Sequence, residues 1–169
     1  MKRITLLMFA CSLFSLAEAQ QRNLQALFSY KTFYSPENGP YIETYLSVNS
    51  QTVKYIQNSN GLFQGAIEIG ISFSNTDGIK YSDKYNLLSP EVQDTSNVEF
   101  YFLDQQRIPL PNGKYKLDLS INDKNGTAQS YSISQGISIE FYNNIAAVSD
   151  IQFVDSYTKT ENPTIISKS

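Results

Sequence analysis

Leu110-Pro111-Asn112-Gly113-Lys114-Tyr115-Lys116-Leu117-Asp118-Leu119-Ser120-Ile121 is the stretch that decides the fold class. After the turn formers Pro111-Asn112-Gly113, the residues Tyr115, Leu117, Leu119 and Ile121 fall on one side of an extended chain. Lys114, Lys116, Asp118 and Ser120 fall on the other. Side chains of a strand point alternately to opposite faces, so this is a strand with one dry and one wet face. Asn125-Gly126 then turns the chain, because both residues tolerate positive φ. Tyr131, Ile133, Ile137, Ile139 and Phe141 follow, alternating with Ser130, Ser132, Ser134 and Ser138. The two runs read as a long hairpin.

The same period of two extends towards the N-terminus. Ala26, Phe28 and Tyr30 alternate with Leu27, Ser29 and Lys31 as a first strand, ended by the turn formers Ser35 to Pro40. Ile42, Leu46 and Val48 share one face of a second strand, and Tyr41, Glu43 and Tyr45 share the other. Val53 and Tyr55 mark a short third strand before the Asn60-Gly61 hairpin signal. Phe63, Ile67, Ile69, Ile71 and Phe73 then build a long half-buried strand that ends at Asp77-Gly78. From Ile79 to Ser96 the alternation weakens, which predicts a long connection with one short strand near Tyr85. Val98, Phe100 and Phe102 predict a core-facing strand with Glu99 and Tyr101 opposite.

About seven strands with frequent turn signals describe an all-β, immunoglobulin-like antiparallel β-sandwich. Leu-x-x-Gly-x-Tyr at 110–115 also resembles the tyrosine corner of immunoglobulin-like and fibronectin type III domains. There a Tyr hydroxyl bonds back to upstream backbone and pins a sheet-to-sheet arch. The resemblance gives Tyr115 that role, with Gly113 easing the arch.

The N-terminus sets the expected compartment. Met1-Lys2-Arg3 is basic, Ile4 to Leu16 is nearly all apolar, and Ala17-Glu18-Ala19 places small residues at a cleavage site. This is the pattern of a secretory signal peptide, residues 1–19, and the apolar run is short for a membrane span. Cys11, the only cysteine, fills that run, and Phe9 occupies a position where lipoprotein signals carry a small residue. The processed chain is therefore cysteine-free, which suits a bacterial exported protein better than a disulfide-stapled domain. Removal of Lys2, Arg3 and Glu18 takes the 13 basic and 16 acidic side chains to 11 and 15, a net charge of −4. A mildly acidic chain argues against a nucleic-acid partner. Residues 20–148 form the expected sandwich domain. In 149–169, Ile151, Phe153 and Tyr157 suggest a partial strand, broken at Glu161-Asn162-Pro163, as a tail or the start of a downstream region.

Three segments together carry a family resemblance: Phe28 to Phe33 running to Gly39 to Leu46, then Asp83 to Pro90, then Leu103 to Arg107. The set, spanning roughly residues 24 to 150, is similar to uncharacterised secreted proteins of the Bacteroidota. It also resembles the N-terminal β-region of envelope proteins carrying a Gly-Trp-x-x-Asp domain. This chain has no Trp, so that later signature is absent. The resemblance implies an envelope or secreted compartment and a longer natural chain, and it supplies no activity.

Several chemistries are excluded by composition. With no His, Ser-His and Cys-His nucleophilic arrangements cannot form, and without His or a mature Cys the usual zinc and copper ligand sets are missing. No phosphate-cradling Gly-x-x-x-x-Gly-Lys loop or Gly-x-Ser-x-Gly elbow is present. Asn122-Asp123-Lys124-Asn125-Gly126 is oxygen-rich, but EF-hand spacing would put Ile121 at the first ligand position, so a hairpin turn is the reading. Asn125-Gly126-Thr127 matches a glycosylation acceptor by coincidence with that turn.

We therefore expect no cofactor and no catalytic residue. Glu43, Glu68 and Glu99 could pair as hydrolytic carboxylates only if they converged, and each sits where strand alternation already places it in water. Asp104 and Arg107 could form a surface ion pair. The strongest binding candidates are Tyr41, Glu43 and Tyr45 on one strand face, with Tyr101 on another strand. Exposed aromatics beside polar groups stack on sugars or anchor proteins. Alternatively the 79–96 connection covers that face. The expected function is a non-enzymatic structural or protein-interaction module of the cell envelope or secreted fraction. The alternative is a carbohydrate-binding module using exposed tyrosines. The expected partner is an envelope protein or a glycan, and no span beyond the signal peptide is expected to enter a membrane.

Overall fold

The computed structural model describes residues 23–127, 129–141, 148–153, 158–159 and 161. The predicted leader at 1–19, Tyr157 and the break at Asn162-Pro163 lie outside the described residues. The strands are β1 (Ala26–Ser35), β2 (Gly39–Asn49), β3 (Tyr55–Gln57), β4 (Phe63–Asn75), β5 (Gly78–Leu88), β6 (Tyr101–Pro109), β7 (Gly113–Asp123) and β8 (Tyr131–Ile139). One sheet has the order β1-β2-β6, and the other runs β5-β4-β7-β8, with the short β3 also against β4. Every described pairing is antiparallel. The result is the expected all-β sandwich.

The apolar positions of the alternating strands meet between the sheets. Ile42, Leu46, Val48, Phe102 and Ile108 come from one side; Ile67, Ile69, Ile71, Phe73, Leu117, Leu119, Ile121, Ile137 and Ile139 come from the other. Closing each such side chain away from water contributes roughly 1.5–3 kcal/mol relative to leaving it exposed.

Two details depart from the sequence reading. The predicted connection at 79–96 contains the full strand β5, which pairs with β4 from Ala66↔Leu88 to Asn75↔Gly78. Its inward positions Tyr81, Tyr85 and Leu87 are only half-buried, and Asp83 interrupts them. An edge strand buries little, so its alternation is faint. The predicted strand at 98–102 begins only at Tyr101, although Val98 is already buried.

The tyrosine corner is present. The Tyr115 hydroxyl donates to the Pro111 carbonyl at 2.8 Å. A Cβ on Gly113 would stand 3.3 Å from the Tyr115 ring, which is why the arch holds glycine. Asn112 clamps the chain beyond β8, accepting from the Phe141 amide at 2.8 Å and donating to its carbonyl at 2.6 Å.

Candidate functional site

The outward face of β1-β2-β6 is built in rows set by strand register. Phe33, Tyr41 and Pro109 form one row; Lys31, Glu43 and Arg107 the next; then Ser29, Tyr45 and Gln105; then Leu27, Ser47 and Leu103. Asn49 and Tyr101 pair in the last. Tyr41, Glu43 and Tyr45 are thus side by side, as their alternation requires.

Their surroundings differ from expectation. Glu43 is 0% exposed although it points away from the core. Arg107, directly opposite on β6, places Nη2 2.9 Å and Nε 3.1 Å from the Glu43 Oε1. The Tyr45 hydroxyl donates to Oε2, and the Gln105 side-chain amide donates there at 3.4 Å. The Arg107 guanidinium lies 5.0 Å from the centre of the Tyr41 ring, which stacks in turn on Phe33 at 5.5 Å. Burial and the neighbouring Glu43 carboxylate push the Tyr45 hydroxyl well above its usual range. Burial raises Tyr41 as well, against the opposing charge of Arg107.

A strap of chain closes this half of the face. The Asp150 amide donates to the Thr32 carbonyl at 3.0 Å, and the Thr32 amide donates to the Asp150 carboxylate at 2.7 Å. The Tyr34 amide donates to the Ser149 hydroxyl at 3.2 Å. Gln152 then reaches over the sheet, its side-chain amide 2.7 Å from the Tyr45 hydroxyl. The covering segment is 148–153 and not the 79–96 stretch, which lies on the other sheet. Tyr41, Glu43 and Tyr45 therefore form an internal network of the sheet and strap.

The other candidate carboxylates do not join them. Glu68 points outward from the opposite sheet, where the Lys84 ammonium lies 2.9 Å away and holds the carboxyl below its usual range. Glu99 lies before β6, beside a groove lined by Ser50, Lys54, Tyr55 and Thr95. The two outer faces of a sandwich point apart, so Glu43 and Glu68 cannot share a substrate. Asp104 and Arg107 also part company, because an odd separation puts them on opposite faces of β6. Asp104 turns inward, accepting from the Tyr85 hydroxyl at 2.6 Å and from the Gln106 side-chain Nε2 at 2.9 Å. Tyr85 thereby bridges the two sheets, and burial raises its hydroxyl far above the usual value. In the oxygen-rich turn, Asp123 accepts from the amides of Lys54 at 2.7 Å and Asn125 at 3.0 Å.

Tyr101 belongs to the opposite end of the same face, two rows from Tyr45. It is 60% exposed, beside Leu27 at 72% and Leu103 at 71%. Leu27 and Leu103 flank the small Ser47 in one row, so three large apolar side chains stand together in solvent. A groove of about 380 Å³ adjoins them, formed by Leu24, Gln25, Ala26, Leu27, Asn49, Tyr101 and Tyr131. Sequence reasoning picked Tyr101 but overlooked the leucines. The available signal was a Leu at an outward position of two alternating strands.

No family model matches the chain, and no curated protein matches it. Among solved structures, the chain is similar to a structural-genomics target from Bordetella pertussis described as an ApaA protein. The identity is 10%, the TM-score is 0.36, and the match covers 70% of this chain and 96% of that one. It is also similar to the Northeast Structural Genomics Consortium target SoR45 at 7% identity and TM-score 0.32, covering 76% of this chain and 94% of that one.

Proposed function

We propose that the chain is an exported, non-enzymatic protein-interaction module of a bacterial envelope or secreted fraction, acting through the outward face of β1-β2-β6 at its Leu27–Tyr101–Leu103 end. The carrying observation is the exposure of these three side chains in adjacent rows beside a groove. Contiguous exposed apolar surface on a folded chain marks interaction sites, and aromatic residues lead such interfaces. The absence of His and of mature Cys from the sequence, together with Glu43 tied to Arg107 and Glu68 to Lys84, supports a binding role over hydrolysis.

A glycan is the second reading, favoured by the exposed Tyr101 ring, on which a sugar could stack. The flanking leucines favour a protein instead, because a sugar site needs polar groups to orient hydroxyls. The test is site-specific photo-crosslinking in the native cell from position 103, with position 72 on the opposite sheet as control. A discrete protein adduct from 103 alone, lost in Leu27→Asp, is the expected result. No adduct from either position, with Tyr101-dependent binding on a glycan array, would replace the protein partner by a sugar.

A further inference from the structure

The long edge strands of the sandwich are not equally protected. An open edge presents unpaired N–H and C=O groups to any passing strand, and natural sheets blunt such edges with charges, proline, bulges or a covering segment. The β1 edge has the strap, hydrogen-bonded at Thr32 and Tyr34. The β5 edge carries Lys80, Asp83 and Lys84, and its pairing with β4 shifts register at Phe73/Ser74. The β6 edge has Asp104 and Arg107 and ends at Pro109.

Among the described residues, β8 has none of these devices. Tyr131-Ser132-Ile133-Ser134-Gln135-Gly136-Ile137-Ser138-Ile139 contains no charge and no proline. Its pairing with β7 is unbroken from Gly113↔Ile139 to Ile121↔Tyr131. Among the described residues, no backbone hydrogen bond from outside that hairpin reaches it.

The strand also reads nearly the same in both directions about Gln135. Turned antiparallel against itself, Ile133 meets Ile137, Ser132 meets Ser138, Ser134 meets Gly136 and Tyr131 meets Ile139. Each pair joins residues of the same parity, so apolar inward positions meet apolar inward positions and the serine face meets a serine face. No like charges are brought together, which would oppose such pairing. We propose that β8 pairs antiparallel with β8 of a second copy of this chain, about a two-fold axis at Gln135, making one continuous sheet through both copies. This interface uses the other sheet and shares only Tyr131, at the end of β8, with the groove beside Tyr101. Cross-linking at the centre of β8 therefore tests it apart from the Leu27–Tyr101–Leu103 reading.

Sedimentation of the unmodified chain over a concentration series tests the association without any substitution: reversible dimerisation is expected, and a monomer throughout overturns the proposal. Register is tested by oxidation in a Cys11→Ser background. Gln135→Cys places each thiol opposite its mate, at the Cα separation of about 4.5–5.5 Å that disulfides accept. It should give a covalent dimer. Ser132→Cys puts the two thiols about 20 Å apart along the strand and should not cross-link. Adding Ser138→Cys to it should restore the dimer. Equal cross-linking of the Ser132→Cys and Gln135→Cys proteins, each with an unmodified urea midpoint, would overturn the two-fold register. So would a monomeric chain that instead accepts a foreign strand along β8.

Discussion

The two ends of the β1-β2-β6 outer face share strands, register and alternation, yet one end is closed and the other bare. At the closed end, Glu43 is fully buried and held by Arg107 and Tyr45, and Tyr45 in turn bonds Gln152 of the 148–153 strap. At the bare end, leucines and a tyrosine stand in water. The polarity is the reverse of what outward positions usually show. A carboxylate tolerates burial here because Arg107, Tyr45 and Gln105 all converge on it. Leucines left exposed two rows away have no such structural explanation, and that asymmetry separates architecture from recognition.

The comparison breaks first at Arg107. Arg107→Ala leaves the Glu43 carboxylate buried without its cation, and we expect a loss of about 3 kcal/mol in urea unfolding, the low end for breaking a buried pair, because Tyr45 and Gln105 still donate. Glu43→Gln in the same chain should return part of the loss, since a neutral amide costs less to bury. No recovery would mean that Arg107 acts mainly through its packing on Tyr41.

The strap comes next. Asp150→Ala removes the acceptor of the Thr32 amide and hydroxyl, with an expected cost of about 1 kcal/mol. Hydrogen exchange at the Thr32 and Tyr34 amides should accelerate while β4 and β7 stay protected. Uniform protection in the variant would show that the strap does not hold that edge.

Alkali sharpens the contrast further. Folding holds the Tyr45 hydroxyl protonated above its ordinary value of 10.0. The unfolded chain ionises first, so this contribution is complete below pH 10.0 and is lost as pH rises through the folded value. Stability should fall as the pH rises above 10.0, and less steeply in Tyr45→Phe. Identical slopes for the two proteins would contradict the buried hydroxyl.

The smallest stability effect belongs to the bare end. Leu27→Ser and Leu103→Ser should each change stability by less than about 0.5 kcal/mol, as exposed positions do. A larger loss in urea unfolding would mean that these side chains pack against something in the folded monomer.

Much of the architecture could be read along the chain. β4 and β7 announce themselves because each buries an apolar face, and β8 keeps the alternation although only Ile137 and Ile139 are buried and Gln135 interrupts it. Tyr115 and Gly113 were legible because an arch with a backbone-bonded hydroxyl needs a fixed local spacing. β5 was not, because a half-solvated edge strand tolerates Asp83 between Tyr81 and Tyr85. For the site, the grouping of Tyr41, Glu43 and Tyr45 followed from the period of two. Their burial did not, because the covering strap lies more than 100 residues further along the chain at Gln152.

The sequence alone determined which side chains share a face, where the turns fall and that two sheets enclose one core, since these depend on a repeat of two residues. Only the tertiary structure decided that Arg107 meets Glu43 on this face, that Gln152 of a distant strap bonds Tyr45, and that Leu27 stands beside Leu103 and Tyr101. Those outcomes depend on register between distant strands and on what lies above a face, and neither is encoded in the spacing of neighbouring residues.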